Sequence, residues 1–299
     1  VPVDPGIIDY YLHLLPGITG EHAKQRLTLL SCYDASSRSL TEKILERPRL
    51  MKRIQEHILP HRPAHITCFN VTRYERTLAV KLNLPIYGCD PDLAFLGTKS
   101  AARKLFKKCG VIVPDGFEDV TSRREVVDCL TQLKYKYPAL RKAVIKMNDG
   151  FSGEGNAVFN YKEAPLDETL HAWITAHLFS NLSIVADNLD AERFFEKFEW
   201  MEGIVEVFLE GEEKASPSVQ CRINPAGKID VLSTHDQVLG GEDGQVFLGA
   251  RFPANKDYAA EIGSYGVIVS EALQHLGVLG RFGIDFMSIQ EEGVWKHYA

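Results

Sequence analysis

The sequence has few of the features that mark a secreted, zinc-binding or disulfide-rich protein. Its six cysteines, at positions 32, 68, 89, 109, 129 and 221, include no C-x-x-C pair and no His/Cys group at metal-ligand spacing. Its ten histidines include no H-E-x-x-H motif. We therefore expect reduced, mostly buried thiols and no zinc chemistry.

Long apolar runs and charge of one sign are also missing. No stretch approaches the roughly 18 consecutive apolar residues that a membrane-spanning helix needs, and no secretory signal opens the sequence. The formal net charge is -6, without a long Lys/Arg run, so composition favours neither a nucleic-acid nor a membrane partner. These absences predict a cytoplasmic protein. Because the first residue is Val1 rather than methionine, we expect a processed product or a piece of something longer.

What the sequence does contain, in its first third, is an alternation of β-prone and helical segments. Three segments are apolar and β-prone: 26–33, 64–71 and 84–88. Helical periodicity fills the intervals, with a capping-box pattern at Thr72 and Glu75 and a predicted break at Pro48. Alternation of this kind is typical of parallel strands joined by helical crossovers.

From residue 98 the pattern changes. A basic amphipathic helix over 98–110 precedes a helix at about 123–136, and apolar segments separated by turns after residue 203 predict antiparallel strands. A helix at about 257–276 precedes a last hairpin over 282–299. The sequence therefore predicts a parallel α/β region followed by a larger, mainly antiparallel one.

A glycine-rich segment, "AVIKMNDGFSGEGNAVF" (143–159), fits none of the common nucleotide-binding motifs. Its glycines read G-x-x-G-x-G before a strand, whereas the Rossmann fingerprint is G-x-G-x-x-G before a helix. At Gly97 an extra residue separates glycine from Lys99, so the P-loop pattern fails. The kinase pattern also fails, because its glycine loop precedes the strand lysine.

What remains is a strand that ends in Lys146, a glycine-rich turn and a returning strand. Glycines let a loop close over phosphates with its backbone N–H groups exposed, while a lysine below supplies a positive charge. An ordinary hairpin with a surface lysine has the same pattern, and these residues alone leave both interpretations open.

Four residues taken together resemble the ATP-grasp family: Lys99 at a helix start, Lys146 before the glycine loop, Glu206 in "VEVFLEG" and Asp285 in "GIDFM". Longer segments, among them "LGTKSAARKLFKKCGV", "IKMNDGFSGEGNAVF" and "STHDQVLGG", are similar to one branch. That branch contains the pheganomycin-type peptide ligases and IQ-motif-containing protein H, and the resemblance runs from about residue 10 to the end.

The resemblance implies an α/β chain in which an ATP-grasp fold follows an N-terminal Rossmann-like, pre-ATP-grasp α/β domain. We expect the pre-ATP-grasp domain at 1–95 and the ATP-grasp domain at 96–299, with a lid subdomain at about 140–205. ATP-grasp enzymes activate a carboxylate as an acylphosphate, which an amine or thiol then attacks. ATP and Mg²⁺ are the implied cofactors.

The resemblance also implies roles for individual residues. Lys99 and Lys146 are expected to hold the phosphates of ATP under a lid that contains Gly150, Ser152, Gly153 and Gly155. Glu206, Val207 and Leu209 correspond to the purine-binding strand, Glu213 is the candidate for the ribose hydroxyls, and Asp285 corresponds to the first magnesium ligand.

One departure from the family pattern concerns the last hairpin. Family members carry a glutamate and, two residues later, an asparagine on its second strand, both metal ligands, whereas this sequence stops at Tyr298 and Ala299. We expect the C-terminal part of the ATP-grasp domain to be incomplete, with Mg²⁺ held weakly by Asp285 and the nucleotide.

A polar cluster in and after "STHDQVLGG" is the candidate catalytic group. His235 and Arg251 are suited to receive a charged substrate or the transferring phosphoryl group, because arginine binds carboxylate and phosphate oxygens through two hydrogen bonds. A turn capped by Thr234 and Asp236 explains the same residues without a catalytic role.

Two functions from different classes follow. The first is an ATP-dependent carboxylate-amine ligase, which joins a small carboxylate to an amino acid or peptide through an acylphosphate. The second is a nucleotide-binding or catalytically silent regulatory domain of a larger scaffold that binds calmodulin through regions outside this sequence, which itself contains no IQ motif.

Overall fold

The structure is a computed structural model that describes residues 2–150, 155–186, 189–211, 213–240 and 246–299. It forms two compact units, Val1–Pro91 and Asp92–Ala299, here called the N-terminal and C-terminal units. The sequence predicts the boundary four residues later, after residue 95. Each unit is described separately.

The described part of the N-terminal unit contains five helices: α1 (Pro5–His13), α2 (Gly20–Lys24), α3 (Leu40–Leu45), α4 (Pro48–Glu56) and α5 (Arg73–Leu82). Pro48 begins α4 and separates it from α3, as the sequence predicts. At the start of α5 the capping box is complete. The side chains of Thr72 and Glu75 each accept a hydrogen bond from the backbone N–H of the other residue. These local signals were read correctly from the sequence.

The strands predicted for the N-terminal unit are not formed. Within its described residues, segments 26–33, 64–71 and 84–88 are irregular apart from one parallel bridge between Ile66 and Ile86. The side chains of Leu27 and Leu29 are 42% and 53% exposed. Because β-propensity reflects packing on a half-buried sheet surface, these segments stay irregular where that surface is missing. The predicted parallel direction is correct at the single bridge.

The first half of the C-terminal unit is built around a five-stranded antiparallel sheet. Its elements are a 3₁₀ helix (Pro91–Gly97), α6 (Lys99–Lys108), β1 (Gly116–Val120), α7 (Arg123–Lys136), β2 (Lys142–Met147), β3 (Asn156–Asn160), α8 (Leu170–His177), β4 (Leu182–Ile184), α9 (Ala191–Met201) and β5 (Gly203–Val207). The strand order is β1-β5-β2-β3-β4. Its core is aromatic, with Phe159, Phe194, Phe195 and Phe198 fully buried.

The hairpin predicted from the glycine-rich segment is present as β2 and β3. These strands pair in an antiparallel register that runs from Lys142 opposite Asn160 to Lys146 opposite Asn156. Lys146 therefore lies at the end of β2, next to the glycine loop, as the sequence predicts.

The second half contains a six-stranded antiparallel sheet and one long helix. Its elements are β6 (Glu213–Ile223), β7 (Ile229–Gly240), β8 (Val246–Arg251), α10 (Ala259–His275), β9 (Gly280–Asp285), β10 (Met287–Glu291) and β11 (Val294–Tyr298). The order is β11-β10-β6-β7-β8, and β9 pairs with β6 beyond the end of β10. The last hairpin is therefore β10 and β11, while β9 presents Asp285.

Helix α10 packs closely against one face of this sheet. A Cβ atom on Gly266 would lie 3.1 Å from both Val219 and Cys221, which are fully buried on β6. The other face of the sheet is therefore the one that is free to line a binding site.

Two sequence-level absences have structural counterparts. None of the six cysteines, all of which lie in described segments, forms a disulfide. Among the helices that the structure describes, none combines the length and the apolar character needed to cross a membrane.

Candidate functional site

A cleft of about 680 Å³ opens between the two sheets of the C-terminal unit. One side is formed by α6, β2 and β5, and the other by β6, β7 and the end of β9. Its apolar lining includes Ala102, Phe106, Pro114, Val144, Ile204, Phe208, Leu239, Phe286 and Met287. Six of the residues singled out from the sequence also line it: Lys99, Lys146, Glu206, Val207, Leu209 and Asp285.

Lys99 enters the cleft from the first turn of α6. Thr98 caps this helix by accepting from the Ala101 amide, and the Lys99 and Ser100 amides donate to Asn148 at the end of β2. The start of the helix is thus tied to the strand that carries Lys146. Burial, followed by the positive charge of Lys146, lowers the pKa of Lys99.

Lys146 has an ionic partner, in contrast to Lys99. Its Nζ atom lies 2.6 Å from Glu206 Oε1, and the other oxygen of Glu206 accepts from Arg103. Arg103 also donates to Glu118 at 2.8 Å and to the Pro114 carbonyl at 2.7 Å. Glu206 and Arg103 are 4% and 3% exposed, so this is a buried ionic network. Lys99, Arg103, Lys146 and Glu206 together are called the lysine wall below.

The purine-binding strand predicted around Glu206 therefore has an unexpected side-chain arrangement. The Glu206 carboxylate is engaged by Arg103 and Lys146, so that any contact with a base would have to involve the backbone. Next along the chain, the Val207 and Phe208 amides donate to Asp115 and Lys142. Within the described residues the Leu209 amide has no hydrogen-bond partner, and Leu209 lines the cleft.

Lys214 holds the segment that follows this strand. Its Nζ atom donates to the Leu209 carbonyl at 2.7 Å and lies 4.9 Å from the centre of the Phe208 ring. Glu213, the predicted ribose contact, is exposed at the start of β6 and is not among the residues that line the cleft.

The glycine loop is described only at its two ends. A Cβ atom on Gly150 would lie 3.1 Å from Gly155 Cα, so the ends approach too closely for side chains to fit easily. The predicted lid residues Ser152 and Gly153 lie outside the described residues.

On the opposite side of the cleft, three polar side chains form a row across adjacent strands. Asp285 on β9 lies directly opposite Ser218 on β6, which lies opposite His235 on β7. Directly opposite residues in a sheet share a face, with Cβ atoms about 5 Å apart. The face that carries Asp285, Ser218 and His235 is called the aspartate face below. Within the described chain the Asp285 carboxylate has no hydrogen bond or ion pair.

The register separates the two predicted catalytic residues. Arg251 lies opposite Asp236, the neighbour of His235, and successive strand residues point to opposite faces. Asp236 accepts from the Tyr258 hydroxyl and the Asn255 amide, on the side of α10. The register therefore places His235 and Arg251 on opposite faces of the sheet, contrary to the expected single cluster. His235 belongs to the aspartate face, although neither it nor Arg251 is among the residues that line the cleft.

The donors present fit a magnesium ion that arrives with a nucleotide. Within the described ranges, no group of three or more His, Cys, Asp or Glu side chains is arranged to hold a metal ion. Asp285 offers a free carboxylate, and Mg²⁺ is commonly bound by one or two carboxylates together with phosphate oxygens and water. The chain would contribute Asp285 to such a site.

Comparison with known proteins identifies a family for most of the chain. The sequence model of the family described as "IQCH-like, ATP-grasp" matches residues 91–178 and 189–296. The chain belongs to the IQCH-like ATP-grasp family.

Two curated relatives match nearly the whole chain. One is the L-propargylglycine–L-glutamate ligase of Streptantibioticus cattleyicolor, 30% identical over 301 residues that cover 98% of this chain and 59% of the ligase. The other is IQ motif-containing protein H of Danio rerio, 24% identical over 337 residues that cover 97% of this chain and 32% of that protein. The chain thus spans only part of the length of each relative.

Solved structures support the ATP-grasp fold. The biotin carboxylase domain of the 2-oxoglutarate carboxylase of Hydrogenobacter thermophilus, in complex with MgADP, ADP and bicarbonate, matches with a TM-score of 0.55. The identity is 13%, and the match covers 88% of this chain and 52% of that one. At this identity the likeness shows the fold alone.

Several site residues were missed from the sequence. Arg103 follows Lys99 by four positions, which places both on one side of α6 and could have drawn attention to it. Ser218 and Lys214 gave no comparable signal, because their importance depends on which strands pair and on where the chain turns.

Proposed function

We propose that the chain is the nucleotide-binding and catalytic part of an ATP-dependent carboxylate-amine ligase that works through an acylphosphate. The observation that carries the proposal is a pair of opposite charges on the two sides of one cleft. Within the described residues, neither the Lys99 ammonium nor the Asp285 carboxylate forms a hydrogen bond or ion pair. A nucleotide phosphate with a bound cation would satisfy both groups.

ATP would lie along the lysine wall. Lys99 and Lys146 would contact its phosphates, and the glycine loop between 150 and 155 would close over them with its backbone amides. The Leu209 amide, Val207 and the apolar lining would hold the purine. Glu213, at the start of β6, would contact the ribose hydroxyls if it moved towards the cleft. Glu206 would act by holding Lys146 in place through its 2.6 Å ion pair.

The reaction would take place on the aspartate face. An oxygen of the substrate carboxylate attacks the γ-phosphorus, the bond to the bridging oxygen breaks, and ADP leaves with an acylphosphate formed. The amine then attacks the acyl carbon, phosphate leaves, and the amine loses a proton. We propose His235 as the group that takes this proton, because it lies on the same face as Asp285, separated from it by one strand.

Magnesium held by Asp285 would supply charge neutralisation for the transferring phosphoryl group. The rest of the catalytic effect in this proposal comes from positioning and preorganised charge, which are the main contributions of proteins to phosphoryl transfer.

The substrate class proposed is a small carboxylate or an amino-acid or peptide substrate. One relative is named as a ligase of L-propargylglycine and L-glutamate, which supports amino acids as both the activated acid and the amine.

The test of nucleotide binding is a calorimetric titration of MgATP into the protein and into Lys146→Ala. We expect the substitution to raise Kd about tenfold to a hundredfold, because hydrogen bonds to charged groups contribute about 1.5–3 kcal/mol. Lys162→Ala is the matched control, since this lysine is 79% exposed and lies beyond the end of β3. Equal affinity in all three proteins would refute the assignment of Lys146.

A second candidate function is a nucleotide-binding regulatory domain without catalysis. The absence of a three-ligand acidic or His/Cys group in the described ranges favours it, as does the likeness to IQ motif-containing protein H. In that case calmodulin would bind regions outside this sequence. MgATP binding without acylphosphate formation, measured by trapping with hydroxylamine, would favour this candidate over the ligase.

A further inference from the structure

The aspartate face extends beyond the row that contains Asp285. Along β9, residues 281, 283 and 285 are exposed while 280 and 284 are buried, so the first three share the open face. Opposite them on β6 are Arg222, Gln220 and Ser218. The face therefore has a row with Asp285, a row with Gly283 and Gln220, and a row with Arg281 and Arg222.

The row farthest from Asp285 carries one cation, Arg281, that has no ionic partner in the described part of the chain. Its neighbour Arg222 pairs with Asp230 at 2.6 Å, and Lys228 pairs with the same carboxylate at 2.9 Å. Arg281 is exposed and, in the described part of the chain, has neither a hydrogen bond nor an ion pair through its guanidinium group. An anion bound beside Arg281 would find a bidentate donor.

The row between the two charges is uncharged and is covered by the side chain of Gln220. A Cβ atom on Gly283 would lie 2.7 Å from Gln220 Nε2, so the absence of a side chain at 283 leaves room for the Gln220 amide. Gln220 in turn donates to Ser218 at 3.2 Å. The Gln220 amide therefore covers β9 at Gly283, and a short ligand that spans Asp285 and Arg281 would lie over this amide.

We propose that Arg281 binds a second carboxylate of the acyl substrate, so that the acid activated at this site is a dicarboxylate or a dicarboxylic amino acid. This inference rests on the proposed ligase function. Arg281 precedes Asp285 by four positions on β9, a span of about 13 Å along the backbone. Both side chains can lean across Gly283 towards a bound molecule, so two carboxylates joined by a few carbon atoms fit between them.

The opposite charges also set the direction in which the substrate binds. The carboxylate to be phosphorylated lies beside Asp285, where a cation and the γ-phosphate offset its charge, and the other carboxylate lies against Arg281. A monoamide of the same length would leave the arginine without its anion at the moment of reaction. Sites built around such a charged contact reject the analogue that lacks it.

The test compares succinate, glutarate and adipate, each against its own monoamide, as substrates for ATP-dependent hydroxamate formation in the presence of hydroxylamine. We expect the best diacid to exceed its monoamide at least tenfold in kcat/KM. In Arg281→Ala, KM for the diacid should rise about tenfold to a hundredfold, with KM for the monoamide unchanged. Arg281→Lys should recover part of the loss. Arg124→Ala, at an exposed arginine on α7, is the matched control and should behave as wild type.

A binding measurement covers the case in which no turnover is detected. With MgADP present, the diacid should raise the melting temperature of the wild-type protein and of Arg124→Ala, but not that of Arg281→Ala. The proposal is overturned if diacids and monoamides react equally, if Arg281→Ala affects both equally, or if the diacid shift is absent from the wild type or survives in Arg281→Ala. Failure of MgATP to bind the wild type would instead remove the proposed function itself.

Discussion

The two sides of the cleft carry charged groups of both signs but arrange them differently. On the lysine wall Arg103 and Glu206 are buried, and Glu206 pairs with both Arg103 and the partly exposed Lys146. On the aspartate face Asp285 and Arg281 are exposed, and neither forms a hydrogen bond or ion pair within the described chain. The protein therefore preorganises Arg103, Glu206 and Lys146, whereas Lys99 and the aspartate face depend on ligands for such a contact.

Because of this difference, substitutions in the buried network should act mainly on stability, and substitutions on the aspartate face mainly on ligand binding. Removing one member of a buried ionic network leaves an uncompensated charge, which is costly to the folded state. Removing an exposed, partnerless charge costs the folded state little and acts on binding instead. Substitutions on the two sides should therefore differ first in the free energy of unfolding.

The largest effect is expected for Arg103→Ala. The substitution removes the hydrogen bonds to Glu118, Glu206 and the Pro114 carbonyl at a position that is almost fully buried. We expect the free energy of unfolding to fall by about 3–5 kcal/mol, measured by urea unfolding. Arg281→Ala, on the aspartate face, should change it by less than about 0.5 kcal/mol. A comparable loss in the two variants would contradict the distinction between the two sides.

A smaller effect on stability is expected when alanine replaces a tightly packed glycine in one sheet, compared with a glycine in open space in the other. A Cβ atom on Gly203 would lie 2.5 Å from Phe198 Cε2 and would also clash with the Lys146 carbonyl, whereas one on Gly249 in the six-stranded sheet meets nothing within 4 Å. Gly203→Ala should cost about 1–3 kcal/mol by overpacking. Gly249→Ala should be neutral or slightly stabilising, because alanine restricts the unfolded chain. Thermal unfolding of the two variants checks this. Equal melting temperatures would argue against close packing of Gly203 against Phe198 and the Lys146 carbonyl.

A third prediction concerns pH and a buried histidine in the six-stranded sheet. His297 Nδ1 lies 2.6 Å from Ser288 Oγ, and its buried Nε2 has no hydrogen-bond partner in the described chain, with Glu261 3.6 Å away. Burial lowers the pKa of His297, while Glu261 opposes that shift. Because the folded pKa lies below the unfolded value of about 6.5, the unfolded chain binds the proton more tightly and stability falls as pH drops through that value.

We expect His297 to contribute a loss of stability as the pH falls from 7.5 to 5.5. Urea unfolding at the two pH values, in the wild type and in His297→Gln, isolates this contribution from the other histidines. The variant should lose less stability over this interval. An identical loss in both proteins would show that His297 takes up its proton equally in the folded and unfolded states.

The smallest effect is expected for Lys214→Met, at the edge of the lysine wall. The substitution keeps the apolar stem but removes the donor to the Leu209 carbonyl and the charge over Phe208. We expect Kd for MgATP to rise about threefold, since a single neutral acceptor loses its partner at a half-exposed site. The calorimetric titration used for Lys146→Ala measures it, and an effect as large as that of Lys146→Ala would mean that Lys214 contacts the nucleotide itself.

Local signals in the sequence were sufficient for several elements, including the hairpin that carries Lys146. The helix at 123–136, the capping box at Thr72, the break at Pro48 and the β2/β3 hairpin all follow from residues within a few positions of one another. The strands of the N-terminal unit failed on the same reasoning, because an apolar segment becomes a strand only where a neighbouring strand and a surface to cover are present.

Fewer features of the site than of the fold could be predicted from the sequence. The motifs placed Lys99, Lys146 and Asp285, and all three line one cleft. They did not indicate that Glu206 would be held by Arg103, a residue 103 positions earlier in the chain. Nor did they separate His235 from Arg251, since the face of each residue depends on the register of β7 against its neighbours.

By itself, then, the sequence determined the residue types and local backbone that a nucleotide site needs: a lysine at a helix start, a lysine before a glycine loop and an aspartate at a strand end. Only the tertiary structure decided which of these charges are neutralised within the protein and which face the cleft without a partner. The physical reason is that ion pairing and sheet register join residues far apart in the chain, whereas helix caps and turns depend on near neighbours. The same dependence applies to Arg281, because only its place in the sheet sets it on the same face as Asp285.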